Sequence, residues 1–276
     1  MNNDFEKYAK AIAEKALCDQ KREEDDYMGE DGLLYCGKCH TPKQYRVKGF
    51  SGDICPCVCQ CVEKQREQDE RARKIAANRQ RCFPFMEQHK ATFANDRGYN
   101  TAITQAMHNY VEHFETLRSH GKGLLLYGPF GSGKSYHSYQ VANALLDLGY
   151  RVKVAQFEDL AREEQSRTHK NAFFDELTRY DLVVLDDLGA EKKSPSMNNF
   201  VFTVIDKLYL SKTPFLITTN LSIDEIKNPL NEENGRIYQR ILERCPFPIR
   251  VERESGSIRL QLVREESAAY RAMLGL

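Results

Sequence analysis

No stretch of this chain approaches the ~18–20 continuous apolar residues that a membrane helix needs. The opening residues 1–10 (MNNDFEKYAK) are too polar for a secretory signal. Net charge is missing too: forty Lys+Arg cancel forty Asp+Glu. That excludes a globally basic nucleic-acid coat, although a local basic patch survives such cancellation. Internal repeats and low-complexity tracts are also absent, which removes solenoid and linker-like architectures. What remains is 276 residues with 41% hydrophobic and 29% charged side chains, enough for one large domain plus a smaller one. These absences predict a cytoplasmic protein.

Nine cysteines are present, and six of them fall between Cys36 and Cys61. An odd total crowded into C-x-x-C and C-x-C spacings points to metal thiolates in a reducing compartment rather than to a disulfide framework. Cys18, Cys82 and Cys245 are scattered and read as small buried hydrophobes. Four stretches differ in composition. Residues 1–31 are highly charged, with a short helix implied by Phe5, Tyr8, Ile12 and Leu17 before an acidic loop. Residues 32–61 form a glycine- and cysteine-bearing knuckle. Residues 62–83 are rich in helix formers and mixed charges, hence a solvated linker helix stopped by Pro84. The domain scheme is therefore 1–61 for a docking module, 62–83 for the linker and 84–276 for the main domain.

Within the main domain strands alternate with helices, which predicts an α/β fold with a mainly parallel sheet covered on both faces. The strands expected are 123–127 (GLLLY), 151–156 (RVKVAQ), 181–185 (DLVVL) and 214–218 (PFLIT), with a half-exposed strand near the end in which Phe247, Ile249 and Val251 alternate with Pro248, Arg250 and Glu252. Val141, Ala144, Leu145 and Leu148 fall on one helical face, ended by Gly149. Ser222 and Glu225 form a capping box that opens another helix.

The first strand runs into Gly128-Pro129-Phe130-Gly131-Ser132-Gly133-Lys134-Ser135, a full G-x-x-x-x-G-K-[ST] match. Its glycines let successive N–H groups point at phosphate oxygens, and the following helix adds its positive end. Lys134 reaches the β- and γ-phosphates of ATP, and the Ser135 hydroxyl ligates Mg²⁺. About fifty residues on, four apolar residues precede Asp186 and Asp187. Asp186 is positioned to hold the metal through water and Asp187 to polarise an attacking water. The 214–218 strand leads into Asn220, a polar amide suited to orienting that water. Arg236, Arg240 and Arg244 share one helical face. Such a row is commonly a solvated surface, but in ring-forming ATPases one arginine reaches a neighbour's γ-phosphate.

In the knuckle, Cys36-Gly37-Lys38-Cys39 aims two thiolates at one point, as one half of a zinc site. Cys55-Pro56-Cys57-Val58-Cys59-Gln60-Cys61 offers more sulfurs than the other half needs. Cys59 and Cys61 are the preferred pair, with Cys57 as the substitute and His40 or Cys55 behind it. Unligated, such a short glycine-bearing segment has little core of its own. Its mixed charge (Glu30, Asp31 and Asp53 beside Lys38, Lys43, Arg46 and Lys48) suits protein docking better than DNA reading.

Taken in order, GLLLYGPFGSGKS, LVVLDDLGAEKK, VIDKLYLSKTPFLITTNLS, RIYQRILERC and GSIR resemble the AAA+ ATPases of the DnaC/DnaI helicase-loader and IstB transposition-helper group, over roughly residues 84–276. LLYCGKCHTPKQ followed by CVCQC is similar to the amino-terminal zinc region of loader-type members, which supports a C-x-C pair at the end of that run. The resemblance implies a P-loop AAA+ sheet without a sizeable lid. It places Lys134 and Ser135 in Walker A, Asp186 in Walker B, Asp187 at the catalytic-acid position and Asn220 at sensor I. It places Arg240 at the arginine finger and Arg259 at sensor II. Leu208 and Leu210 stand where many members carry arginines. The implied cofactors are ATP, Mg²⁺ and Zn²⁺. The implied partners are a replicative DNA helicase, or a transposase in the alternative reading, together with single-stranded DNA and further copies of this chain. A P-loop kinase with a regulatory zinc finger is the competing enzyme class, disfavoured by the paired acids, Asn220 and the Arg240 helix. Lys192 and Lys193 are candidates for DNA contact.

Overall fold

The computed structural model describes residues 22–47, 54–83, 85–192, 194–229 and 232–252, together with 267, 270, 271, 273 and 274. The expected helix over Phe5–Leu17, Cys18, Lys48, Asp53, Pro84, Lys193 and Arg259 lie outside those residues. The chain divides into two compact units between Lys74 and Ile75.

The first unit holds two short antiparallel pairs, which the sequence pattern did not reveal. β1 (Tyr27–Met28) pairs with β2 (Leu34–Tyr35), and β3 (Gln44–Arg46) pairs with β4 (Ile54–Pro56). Two- and three-residue strands carry too little alternation to read as strands. A buried Asp26 organises the segment by accepting from the Glu23 N–H, the Gly37 N–H and Lys43 Nζ, the last at 2.5 Å. These donors hold the Asp26 carboxyl below its ordinary range, Lys43 most strongly. α1 (Gln60–Cys82) follows and buries only Cys82 along its length, so the reading of a solvated helix holds.

In the second unit α2 (Met86–Lys90), α3 (Thr101–Glu112) and α4 (Phe114–Ser119) lead into β5 (Leu124–Tyr127), α5 (Lys134–Asp147) and β6 (Val152–Ala155). α6 (Phe157–Gln165) and α7 (Lys170–Leu177) precede β7 (Leu182–Leu188), and α8 (Pro195–Leu210) precedes β8 (Phe215–Thr219). α9 (Ile223–Lys227), α10 (Glu232–Arg244) and β9 (Ile249–Arg250) complete it. The five strands are all parallel, in the order β6-β7-β8-β5-β9.

Successive strand residues point to opposite faces, which divides the core in two. Leu125, Val183, Leu185, Phe215 and Ile217 join residues of α6, α7, α8 and α10 in one cluster. Leu126, Val184 and Leu216 join Val141, Leu145 and the α3–α4 side chains Met107, Tyr110 and Phe114 in the other. This is the parallel sheet flanked by helices that the strand–helix alternation and the resemblance implied.

The Ser222 capping box opens α9 as expected, while three other local expectations need correction. α5 buries Ala142 and Leu146 as well as Val141 and Leu145, because helices cover it on the side away from the sheet; Leu148 is exposed as its C-cap. Phe247 is 78% exposed, and only Ile249 and Val251 turn inward. β7 does not stop at Leu185 but runs through both acids to Leu188.

Candidate functional site

Parallel strands bring their carboxyl ends to one edge, where α/β sheets place ligands. At that edge β5 runs into the glycine-rich loop, β7 carries the two acids just before its end at Leu188, and β8 ends in Thr218 and Thr219 with Asn220 next. The loop takes backbone that only glycine adopts easily, with φ of +145° at Gly128, +73° at Gly131 and +101° at Gly133. Gly128 is constrained twice, since a Cβ there would lie 2.3 Å from the Val251 carbonyl oxygen. Gly133 is the N-cap of α5 and supplies no side-chain cap, so the first-turn N–H groups of the helix have no acceptor from it. Ser132 Oγ is buried without a hydrogen-bond partner. Phe130 projects from the loop, 77% exposed. Uncapped N–H groups, an orphaned hydroxyl and a lysine fit a polyphosphate.

Lys134 is buried and donates to Gly128 O and Pro129 O at 2.9 Å and to Asn220 Oδ1 at 2.7 Å. Asn220 Nδ2 in turn donates to Asp187 Oδ1 at 2.7 Å. Three residues separated widely in sequence thus form one chain of contacts, with the Asn220 amide orientation set by a cation on one side and a carboxylate on the other.

The two acids sit in a β-bulge. Leu185 pairs with Ile217 but Leu188 with Thr219, so β7 spends three steps where β8 spends two. Leu185 and Leu188 both belong to the same core cluster. Strict alternation would have sent Asp187 into it. The bulge, with Asp187 at φ +65°, lets both carboxylates leave the core. Asp186 is buried: its Oδ1 accepts from Thr218 Oγ1 at 2.6 Å and its Oδ2 from the Tyr139 hydroxyl at 2.7 Å. Thr218 Oγ1 also accepts the Asp187 N–H at 2.8 Å, which fixes the bulge. Burial, reinforced by the Asp186 charge, pushes the Tyr139 phenol up, so it stays a donor. Tyr139 and Thr218 are side chains of this candidate site that the sequence did not point to. For Tyr139 the available signal was its position four residues after Ser135 on α5.

Arg236, Arg240 and Arg244 do share one face of α10, and the latter two are turned onto α8. Arg240 Nε lies 2.9 Å from Asp206 Oδ1, and its guanidinium sits over the Phe202 and Tyr209 rings at 4.9 and 5.7 Å. Arg244 stacks on Tyr209 at 4.6 Å and donates to its carbonyl. Arg236 is exposed. Leu208 is fully buried, a core position, whereas Leu210 is 68% exposed. Lys192 is exposed.

In the first unit, the Sγ atoms of Cys36, Cys39, Cys59 and Cys61 lie within 4.8 Å of one another, the one such metal-capable cluster among the described residues. Cys36 and Cys39 flank the tight turn after β2, where Gly37 is required because a Cβ would fall 2.1 Å from Asp25 O. Cys59 and Cys61 stand at the start of α1. Thr41 Oγ1 links the halves, 3.1 Å from Cys39 Sγ and accepting the Gln60 N–H at 3.0 Å. Its hydrogen bond holds the Cys39 thiol down at about 5, while contacts with Cys59 and Cys36 push Cys61 up to about 12. Tetrahedral zinc with Zn–S of about 2.3 Å spaces its sulfurs about 3.8 Å apart. The Cys36–Cys61 and Cys59–Cys61 separations are 3.6 and 3.4 Å. Four thiol donors so arranged fit zinc. Cys57 instead donates to Pro42 O, and His40 lies against the Tyr27 hydroxyl. Cys82 and Cys245 are buried apolar side chains.

Comparison with known proteins accords with this geometry. Residues 61–266 match the family model described as IstB-like ATP binding protein. The chain is 28% identical to the replicative helicase loader DnaI of Bacillus subtilis over 49% of its own length and 47% of that protein's. It therefore spans about half of this relative. It is 30% identical to a putative insertion sequence ATP-binding protein of Sinorhizobium fredii, over 38% of this chain and 36% of the relative. It is 25% identical to the replicative helicase loader DnaC of Escherichia coli, over 60% and 70% respectively. Among solved structures, the DnaC helicase loader superposes with a TM-score of 0.53 at 22% identity, covering 61% of this chain and all of that one. At that identity the likeness establishes the AAA+ fold. With the family model matched across most of its length, the chain belongs to the IstB-like ATP binding proteins.

Proposed function

We propose that this chain is a Mg²⁺-dependent ATPase that loads a hexameric replicative helicase onto single-stranded DNA, assembling with further copies of itself as it does so. The observation that carries the ATPase reading is the chain of contacts from Lys134 through Asn220 to Asp187. It joins a phosphate-binding cation, a water-orienting amide and a water-activating carboxylate at one sheet edge.

In this reading the loop Gly128, Pro129, Phe130, Gly131, Ser132 and Gly133 wraps the phosphates with its N–H groups, and Lys134 neutralises them. Ser135 and Asp186 would hold Mg²⁺, Asp186 through water, and the metal would supply charge neutralisation at the phosphates. Asp187, steered by Asn220, draws the proton from the attacking water. Arg240 serves a neighbouring protomer after leaving Asp206, and Arg259 is assigned the sensor II role by resemblance. Zn²⁺ on Cys36, Cys39, Cys59 and Cys61 ties the docking module together. Residues 1–61 meet the helicase, 62–83 link and 84–276 hydrolyse.

The second reading is a transposition helper acting with a transposase, favoured by the family model and by the insertion-sequence relative. The Cys₄ module favours the loader. Affinity capture with the full chain separates them: a retained hexameric helicase supports the first reading, and a retained transposase replaces it with the second.

A further inference from the structure

Asp186 is held by two side chains at once. Thr218 from β8 donates to one carboxylate oxygen at 2.6 Å, and Tyr139 from α5 donates to the other at 2.7 Å. Rotation about the carboxylate's own axis would break one bond or the other. A carboxylate offers about four acceptor positions, so these donors leave the remainder for water. The P-loop helix therefore does more than present Ser135. One turn later on the same face it reaches across to the acid on β7.

Tyr139 is itself firmly placed. Its ring meets Phe83 edge-on with centroids 5.9 Å apart, and its carbonyl accepts from Asn143 Nδ2, which also donates to Ala91 O and Gln88 O. Tyr139 is half-buried, packed at the edge of the core, and its hydroxyl takes a partner there. Here that partner is the acid to which the magnesium role falls, and the contact spans the two elements that must keep their spacing around a metal.

We propose that Tyr139 is a positioning residue for magnesium: its hydroxyl fixes the Asp186 carboxylate in the orientation that holds Mg²⁺ through water. This rests on the ATP–Mg²⁺ reading of the site. Groups that hydrogen-bond a metal-binding carboxylate commonly change metal affinity 10–100-fold when removed. Tyr139→Phe deletes one oxygen and keeps the ring on Phe83, so the loss should appear in the metal dependence and nowhere else.

The test titrates Mg²⁺ into the full chain with a fluorescent ATP analogue and reads binding, beside thermal unfolding in EDTA. Tyr139→Phe should raise the half-saturating Mg²⁺ concentration about tenfold. Analogue affinity in EDTA and the unfolding midpoint in EDTA should match the parent. Asp186→Asn should shift the Mg²⁺ midpoint in the same direction. If the parent depends on Mg²⁺ and Tyr139→Phe has the parent's midpoint or a tighter one, the proposal is overturned. A lower unfolding midpoint with unaltered Mg²⁺ dependence overturns it too, leaving Tyr139 a packing residue. A parent that binds no analogue, or binds it without regard to Mg²⁺, refutes the ATPase reading instead.

Discussion

Lys134 donates to the Gly128 and Pro129 carbonyls and to Asn220, and a phosphate would bring it more charge than any of them. Truncating it to Ala removes charge-assisted bonds of about 1.5–3 kcal/mol. ATP affinity should fall roughly 10- to 100-fold, measured by titration calorimetry with the full chain. Asp187 allows a cleaner test because Asn also tolerates φ +65° and keeps an oxygen for the Asn220 amide. Asp187→Asn should therefore bind ATP as the parent does while kcat falls roughly 10²–10⁴-fold, the usual worth of a general base. Parent-rate hydrolysis by this variant would remove Asp187 from the chemistry. Lys134, Asp186, Asp187 and Asn220 could be named in advance because each ends a strand or loop whose pattern is continuous in the chain. Tyr139 and Thr218 could not, because their partner Asp186 lies 47 and 32 residues away. Only the folded sheet brings them together.

At the scale of elements, α5 is the central one, loop-fed at one end and buried on several sides. His137 on its second turn is 2% exposed, with Nδ1 2.8 Å from Gln140 Oε1. Burial pushes the His137 pKa below its ordinary 6.5, more strongly than the Gln140 bond raises it. The unfolded chain then takes up a proton as pH falls through 6.5, while the folded chain does so only at lower pH. Stability contributed by neutral His137 is present above 6.5 and is lost as pH falls toward the folded value, by at most about 1.4 kcal/mol per pH unit. Denaturant midpoints between pH 7.5 and 5.5 should drop more steeply in the parent than in His137→Gln. The knuckle invites a test of its own. Purified chain should carry about one zinc, and Cys39→Ser should release it and open residues 32–61 to hydrogen exchange while the sheet domain keeps its protection. Unchanged zinc content in that variant would sink the assignment. The long, strongly apolar strands were legible from the sequence. The two short pairs in the knuckle and the β7 bulge were not, because one depends on Asp26 and a shared sulfur cluster and the other on Thr218 from another strand.

At the scale of the whole molecule, the question is whether one chain contains a complete site. Arg240 bears on it directly. Here it is half-buried, paired with Asp206 and lying over the Phe202 and Tyr209 rings, all on its own chain. An ion pair of this partial exposure is worth about 1 kcal/mol or less, and ring stacking of a cation adds about 0.5–1 kcal/mol. A neighbour's γ-phosphate offers more charge than Asp206, so transfer in an assembly is energetically open. The role in trans predicts that Arg240→Ala keeps ATP affinity nearly intact and loses the turnover that depends on assembly. In the parent, activity per chain should rise with protein concentration, or on single-stranded DNA that concentrates the protomers. The decisive measurement mixes Arg240→Ala with Lys134→Ala, each inactive alone. In mixed assemblies an intact phosphate loop from the first chain meets an intact arginine from the second, and part of the activity should return. If the variants co-assemble and mixing restores nothing, Arg240 serves only its own chain. The pairing with Asp206 would then be its whole function, and α10 a helix held to α8 rather than one that reaches across an interface.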